Sequence, residues 1–459
     1  MPVDKSVIVP ALEQEVIGRI RSAMRGQVLL QGDEGYEAAR CVYNAMIDRR
    51  PALIIRCLGV SDVMAAVNLA REQGWPPAVR SGGHSVAGFG VCEGGLMIDL
   101  SQMKGIRVDP AKRIARAEPG VTWGELDRET GVFGLATPGG IISTTGIAGL
   151  TLGGGVGWLV RKHGLACDNL LSADIVTADG RLLRASEREN ADLFWGLRGG
   201  GGNFGIVTSF EYRLHPVGTV LGGMLLHVRE RAREVLGVYR AFTESAPDEL
   251  TVSAGLITWT DGVPMIALVA CYAGDIKAGE ALLGPLREFG PPLVDGLQPM
   301  PHTRIQRLLD DAFPPGRRNY WKSCYLESLS DEAIEVVVEY ANCVPSPFSA
   351  VLVECYTGAA SRLGESETAY PHRRERYNLH IFSAWAGPDD DDRNIEWTRR
   401  FWEAMKPFSS GRVYVNFLGD EGERGVRTAF GSNYERLAAI KKKYDPSNLF
   451  SHNHNVRPA

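Results

Sequence analysis

The sequence predicts an α+β protein of more than one domain, and three observations carry that reading. Glycine supplies 53 of 459 residues, about 12% against a usual share of about 7%, and the surplus gathers in a few loops. A strand–helix–strand unit of about 30 residues stands near the amino terminus. Beyond Pro216 the glycines thin out. Apolar strands then alternate with helical segments to about residue 405, the pattern of a broad sheet.

Taken in order, residues up to about Arg25 read as one amphipathic helix. The apolar run 51–56 is a buried strand. Ser61 is the expected cap of a helix whose apolar face is Val63, Val67, Leu69 and Ala70, stopped at Gly74. Residues 77–80 form a second strand that runs into Ser81-Gly82-Gly83-His84-Ser85. Short strands follow at 96–100, 106–109 and 114–117, then a short helix at 122–129. The densest glycine stretch runs from Pro138 to Gly157. A hairpin comes next, 173–178 and 182–184 around Asp179-Gly180, a dipeptide suited to such a turn. Residues 192–195 open a helical turn, Gly199–Gly202 break it, and 206–214 is a strand.

Past Pro216 the reading gives strands at 265–272, 350–356 and 379–385, with helices at 231–243, 331–340 and 394–405. Residues 389–393 read as a solvated polar loop. From about Arg412 the amino-terminal character returns, with a helix at 434–443 broken at Asp445-Pro446. The chain divides accordingly into 1–215, with a core of about 47–216, then 216–405 and 406–459.

Composition excludes several classes. Lys+Arg 50 against Asp+Glu 55 gives −5, without the basic excess a nucleic-acid partner requires. No apolar run approaches the roughly 18–20 residues of a membrane helix. The start, Met1-Pro2-Val3-Asp4-Lys5, lacks a secretory pattern, so a cytoplasmic location is expected. The eight cysteines form no C-x-x-C and sit mostly in apolar runs, which suits small buried hydrophobes rather than zinc or disulfides. His452 and His454 would share a strand face, but no third ligand presents itself, and no metal is expected.

The chemistry-bearing residues lie in the glycine loops. In Arg80-Ser81-Gly82-Gly83-His84-Ser85, consecutive glycines after a strand let backbone N–H groups approach an anion, and the hydroxyls and guanidinium add donors and charge. The run Gly146–Gly157 matches the dinucleotide spacing G-x-G-x-x-G only loosely, with neither a clean preceding strand nor the later acid. Alone, each is as readily structural as functional.

Together, and in this order, they resemble one family. The R-S-G-G-H-S loop precedes P-G-G…G-G-G-x-G-W, Gly164-Leu165 with Asp168-Asn169, and Leu193-Phe-Trp195-Gly-Leu-Arg198-Gly-Gly. Asn203-Phe-Gly205-Ile-Val207-Thr, Tyr444-Asp-Pro-x-Asn448-Leu-Phe450 and Asn453-x-Asn455 complete the set. The chain resembles the FAD-linked oxidases of the vanillyl-alcohol oxidase / p-cresol methylhydroxylase superfamily, in the berberine-bridge-enzyme-like and 6-hydroxynicotine-oxidase-like branch. The resemblance implies a two-domain fold: an FAD-binding domain of two α/β subdomains, and a substrate domain with a broad antiparallel sheet covered by helices. It implies FAD bonded through its 8α carbon to His84. It also assigns to the cofactor Arg80, Ser81, Gly82, Gly83, Ser85, Pro138, Thr145, Gly146, Gly149, Gly155 and Gly157. Asp168, Asn169, Ile206, Val207, Tyr414, Asn416, Asn453 and Asn455 complete that assignment.

Two departures sharpen the expectation. Relatives with a second, cysteinyl link carry their cysteine where this chain has Ile142, so a single link through His84 is expected. Several plant relatives use a tyrosine after the asparagine of Y-x-N-Y as base. Here the motif is Tyr414-Val-Asn416-Phe417, and phenylalanine has no proton to exchange. The candidates are then Tyr414 and His380, whose imidazole suits a general base unless it is simply a hydrogen-bonded sheet residue. Tyr370-Pro-His372-Arg373 reads as packing first and substrate contact second. The implied reaction is hydride abstraction from a C–OH or C–NH carbon of a small molecule, with dioxygen as acceptor and hydrogen peroxide as product. A dehydrogenase using another acceptor, and a flavin carrier without turnover, are the alternatives.

Overall fold

A computed structural model describes residues 14–459. Residues 1–13 of the expected first helix lie outside the described residues, and the rest forms the helix Gln14–Ala23. Strands Gln27–Leu29, Leu53–Arg56, Leu96–Asp99 and Ala78–Arg80 lie side by side in that order. The strand–helix–strand unit is therefore split: Leu96–Asp99 inserts between its two strands, parallel to both. All four residues of that strand are buried, as a central parallel strand requires. Its helix, Val60–Gln73, ends at Gly74 with φ +66°. Ser61 does not cap it, because the helix begins one residue earlier. Asp62 does the fastening instead, its carboxylate accepting from the N–H groups of Arg25, Gly26 and Leu58.

A second sheet runs Ile106–Asp109, Ile114–Ala117, Gly205–Arg213, Leu170–Thr177, Leu182–Ser186, all antiparallel, with the expected Asp179-Gly180 hairpin. It packs around Trp123, Phe194, Phe204, Phe210 and Tyr212. The same core takes in Tyr414, Phe430 and Tyr434 from the carboxy-terminal segment.

One large antiparallel sheet holds the three expected strands, Pro264–Tyr272, Ala350–Cys355 and Tyr377–Trp385. It also holds Thr219–Val228, Leu250–Thr258 and Arg318–Leu326, which the sequence reading missed. Helices Ala232–Ser245, Ile276–Glu288, Asp331–Asn342 and Asp391–Met405 cover one face, burying Val351, Val353, Leu379 and Ile381. Since alternate residues of a strand face opposite ways, Leu352, Glu354, His380 and Phe382 point to the other face. The segment 389–393 is largely exposed, as expected, but it is helical rather than a loop. It opens the helix Asp391–Met405, and Asp391 accepts from the Arg318 guanidinium at 2.6 Å and from Trp385 Nε1 at 2.7 Å.

The edge strand Arg318–Leu326 is fastened to the amino-terminal half. Asn44 Oδ1 accepts from Asn319 N, Asn44 Nδ2 donates to Asn319 O, and Ala45 N donates to Arg317 O. Tyr43 is thereby fixed at the seam.

One buried group carries a stability prediction. Asp127, in helix Trp123–Gly131, is 3% exposed and its Oδ2 has no partner. Burial pushes its carboxyl up to about 8. A raised acid destabilises the fold above its unfolded value of about 4, and the cost grows until pH passes about 8. Asp127→Asn is expected to raise the melting temperature at pH 8 by a few degrees and to change little at pH 4. Equal effects at both pH values would contradict this.

Candidate active site

The loop 81–85 leaves the carboxyl end of the parallel strand Ala78–Arg80, the end at which open α/β sheets bind ligands. It touches the loop that carries Gly146. A Cβ on Gly82 would strike the Gly146 backbone, and one on Gly146 would strike Gly82, so only glycine at both positions permits the approach. Both loops line one cavity of about 350 Å³, a volume typical of small-molecule sites. The N–H groups of Gly82, Gly83, His84 and Ser85 donate to no acceptor among the described residues. Four free donors in succession suit an anionic phosphate. Arg80 Nη1 holds Ala39 O, while its Nε is buried without a partner. The Ser81 hydroxyl is spent on Pro119 O, fastening the loop.

His84 lies on the cavity wall between three neighbours. Thr144 Oγ1 shares a hydrogen bond with Nε2 at 3.2 Å, and Thr145 Oγ1 lies 3.4 Å from Nδ1. The Tyr43 ring stacks on the imidazole, with centroids 4.4 Å apart and planes 20° apart. Burial pushes the ring down to about 4, so it is neutral and nucleophilic at physiological pH.

Thr145, Gly146, Gly149, Ile206, Val207, Asn416 and Asn453 line the same cavity, and Asn453 Oδ1 is buried without a partner. Six predicted residues do not. Asp168 is committed to Arg373, with both carboxylate oxygens at 2.7 Å from the guanidinium, and to Leu165 N. Asn169 donates to His163 O and Leu165 O and meets His215 Nε2 at 2.6 Å. Gly157 is pressed against the Gly139 carbonyl, and Gly155 donates to Tyr414 Oη. Pro138 is buried, and Asn455 stands beyond the wall. These residues shape the backbone behind the cavity. His452 and His454 are not on a strand; both pack edge-on against Phe89, and no metal-binding cluster occurs among the described residues.

The far end of the cavity is bounded by the open face of the large sheet. His380 sits across from Ser323 and Leu352, 3% exposed, with Nε2 unpartnered. Its ring stacks on Phe417 at 3.9 Å, and burial pushes it down to about 3. Tyr414 Oη accepts from Gly155 N and Asn416 Nδ2, both at 2.8 Å, and burial pushes its proton affinity well up. Tyr370 and His372 are packing groups: Tyr370 Oη meets Tyr325 Oη, and His372 holds Ala429 O. The sequence reading missed Tyr43, Phe313, Trp321, Phe382 and Glu354, all on the wall. The strand alternation around His380 was the available signal for Phe382; nothing local pointed to Tyr43.

A cavity lined by a free N–H row, by a buried histidine and by a cluster of aromatic rings suits a dinucleotide oxidoreductase site. Residues 51–186 match the FAD binding domain family, and 413–457 match the berberine and berberine-like family. An FAD-linked oxidoreductase of Dictyostelium discoideum is 32% identical over 97% of both chains. The structure of 6-hydroxy-D-nicotine oxidase from Arthrobacter nicotinovorans superposes with a TM-score of 0.88 at 28% identity, covering 95% of this chain and 98% of that one. The xylooligosaccharide oxidase of Myceliophthora thermophila, solved with xylobiose, gives 0.85 at 26%, covering 96% and 98%. The chain belongs to the FAD-linked oxidoreductases of the vanillyl-alcohol oxidase / p-cresol methylhydroxylase superfamily, in the berberine-bridge-enzyme-like branch. It is an FAD-binding oxidoreductase, and the unpaired donors of 82–85 with the orphaned Arg80 Nε fit that cofactor's pyrophosphate.

Proposed function

We propose that this chain is an oxidase that removes a hydride from a C–OH or C–NH carbon of a small organic substrate and passes the electrons to dioxygen, releasing hydrogen peroxide. FAD, attached through its 8α carbon to His84, supplies the two-electron acceptor when bound. The observation that carries the reading is His84 itself: a neutral, oriented imidazole on the wall of the cavity that His380 closes. The polar atoms of the far end fall into distinct roles. Tyr414 accepts two hydrogen bonds and holds Asn416 and the Gly155 turn in place. His380 offers an unpartnered ring nitrogen to the substrate and takes the substrate proton. Ile142 stands where a second link would need sulfur, so the attachment is single. The cell compartment in this reading is the cytoplasm.

The test is peroxide release in air across a panel of alcohols and amines, compared with the rate using an artificial electron acceptor. Peroxide at rates equal to the acceptor rate supports an oxidase; turnover with the acceptor alone would make it a dehydrogenase. His380 also has a pH signature. A base must be unprotonated to act, and this one is so above about pH 3. The wild-type kcat/KM is expected to show no imidazole limb near pH 6.5. His380→Asn is expected to lower kcat by about 10²-fold, the lower end for general-base loss. A limb at 6.5 that the variant abolishes would contradict the buried, neutral assignment.

A further inference from the structure

We infer that the substrate of this site is a flat, largely apolar aromatic molecule carrying one or two hydrogen-bonding groups, and not a sugar. The inference rests on the oxidase reading for the site's purpose, but its support is the chamber wall. Alternation along the sheet brings His380 and Phe382 to the cavity face, with Trp321 directly across from Phe382. The Trp321 and Phe382 rings lie 4.3 Å apart, and Phe313 meets Phe382 edge-on at 4.4 Å. Phe417 closes the side next to His380, and Tyr43 the side next to His84. Rings in contact with one another in this way form a continuous aromatic wall on which a further flat ring can stack.

The polar inventory is short. Trp321 Nε1 already donates to Asn319 Oδ1 at 3.2 Å, and Tyr43 Oη to Phe313 O at 3.3 Å. The Glu354 carboxylate accepts from Tyr356 Oη at 2.6 Å and Asn378 Nδ2 at 3.0 Å, both on Oε2, which leaves Oε1 open to the cavity. Among Tyr43, Phe313, Trp321, Glu354, His380, Phe382 and Phe417, His380 Nε2 is the one fully buried side-chain polar atom without a partner; Arg80 Nε and Asn453 Oδ1 are the other two on the cavity wall. A sugar brings a hydroxyl on nearly every carbon. Each one left unpaired in such a chamber costs about tenfold in affinity. An aromatic ring with one or two polar groups is met by the two partners that are free, His380 Nε2 and Glu354 Oε1.

The test is calorimetric titration of the flavin-loaded enzyme with 2-naphthol and with xylobiose. The expected result is a dissociation constant at least about 100-fold lower for 2-naphthol, raised about tenfold by Trp321→Ala and restored by Trp321→Phe. Xylobiose binding as tightly as 2-naphthol would overturn the inference. So would binding of neither probe at millimolar concentration, or 2-naphthol binding indifferent to Trp321→Ala. Calorimetry reports occupancy without turnover. An enzyme that binds 2-naphthol in this Trp321-dependent way yet releases no peroxide with any alcohol or amine of the panel would therefore support this inference while refuting the oxidase reading.

Discussion

Acid precipitation of the His84→Ala variant is expected to leave all of its flavin in the supernatant, while the wild-type pellet stays yellow and fluorescent. The imidazole is the strongest nucleophile of the glycine loop, more so than the neutral hydroxyls of Ser81 and Ser85, and its surroundings prepare it. Burial keeps it neutral, Thr144 and Thr145 engage its two nitrogens, and Tyr43 stacks on its face. The variant should still fold and hold FAD reversibly. Its N–H row and the Gly82–Gly146 contact are backbone features that alanine at 84 does not disturb. Wild-type flavin that washes out on denaturation would refute the tether. A labelled flavin peptide lacking residue 84 would relocate it.

Asp168→Asn is expected to destabilise the protein by about 3–5 kcal/mol without altering the bound flavin's spectrum. Arg373 is fully buried and Asp168 nearly so, and the pair is bidentate. Neutralising one member strands the other charge in a medium that solvates it poorly. The remaining Arg373 contacts, Thr368 Oγ1 and Ala360 O, carry no compensating charge. A shifted flavin spectrum in a thermally unimpaired variant would return Asp168 to the cofactor. The measurement therefore separates the role the family resemblance implied from the one the geometry gives.

That contrast shows what the sequence could reveal. The R-S-G-G-H-S loop was legible because glycine pairs after a strand have few purposes, and the structure places that whole loop on the cavity. Asp168 and Asn169 were legible as a motif but not as a role. A carboxylate's partner can lie 205 residues away, as Arg373 does, and no local pattern announces it. Strand Arg318–Leu326 was missed because Arg318, Asn319 and Lys322 interrupt its apolar run. Those residues pair with Asp391, Asn44 and Glu421, contacts made across the fold. Leu96–Asp99 was found as a strand, but its insertion between the two expected neighbours is a fact of packing order that period and composition do not encode. The helix expected at 394–405 was found, but its first turn from Asp391 was read as loop because it is acidic; there Asp391 meets the half-buried Arg318 and the Trp385 indole N–H.

The seam at Asn44 also bears on how the molecule can be cut. Its amide occupies both main-chain groups of Asn319 as a neighbouring strand would and covers one end of the large sheet's margin, while Ser410 and Arg412 pair with Tyr325 at the other. Residues 216–405 expressed alone would bare that margin, a row of unmatched peptide groups open to any passing chain. The catalytic chamber would lose the Tyr43 wall in the same stroke. The two halves thus make a single indivisible unit, and dissection into separately usable pieces would destroy both solubility and pocket.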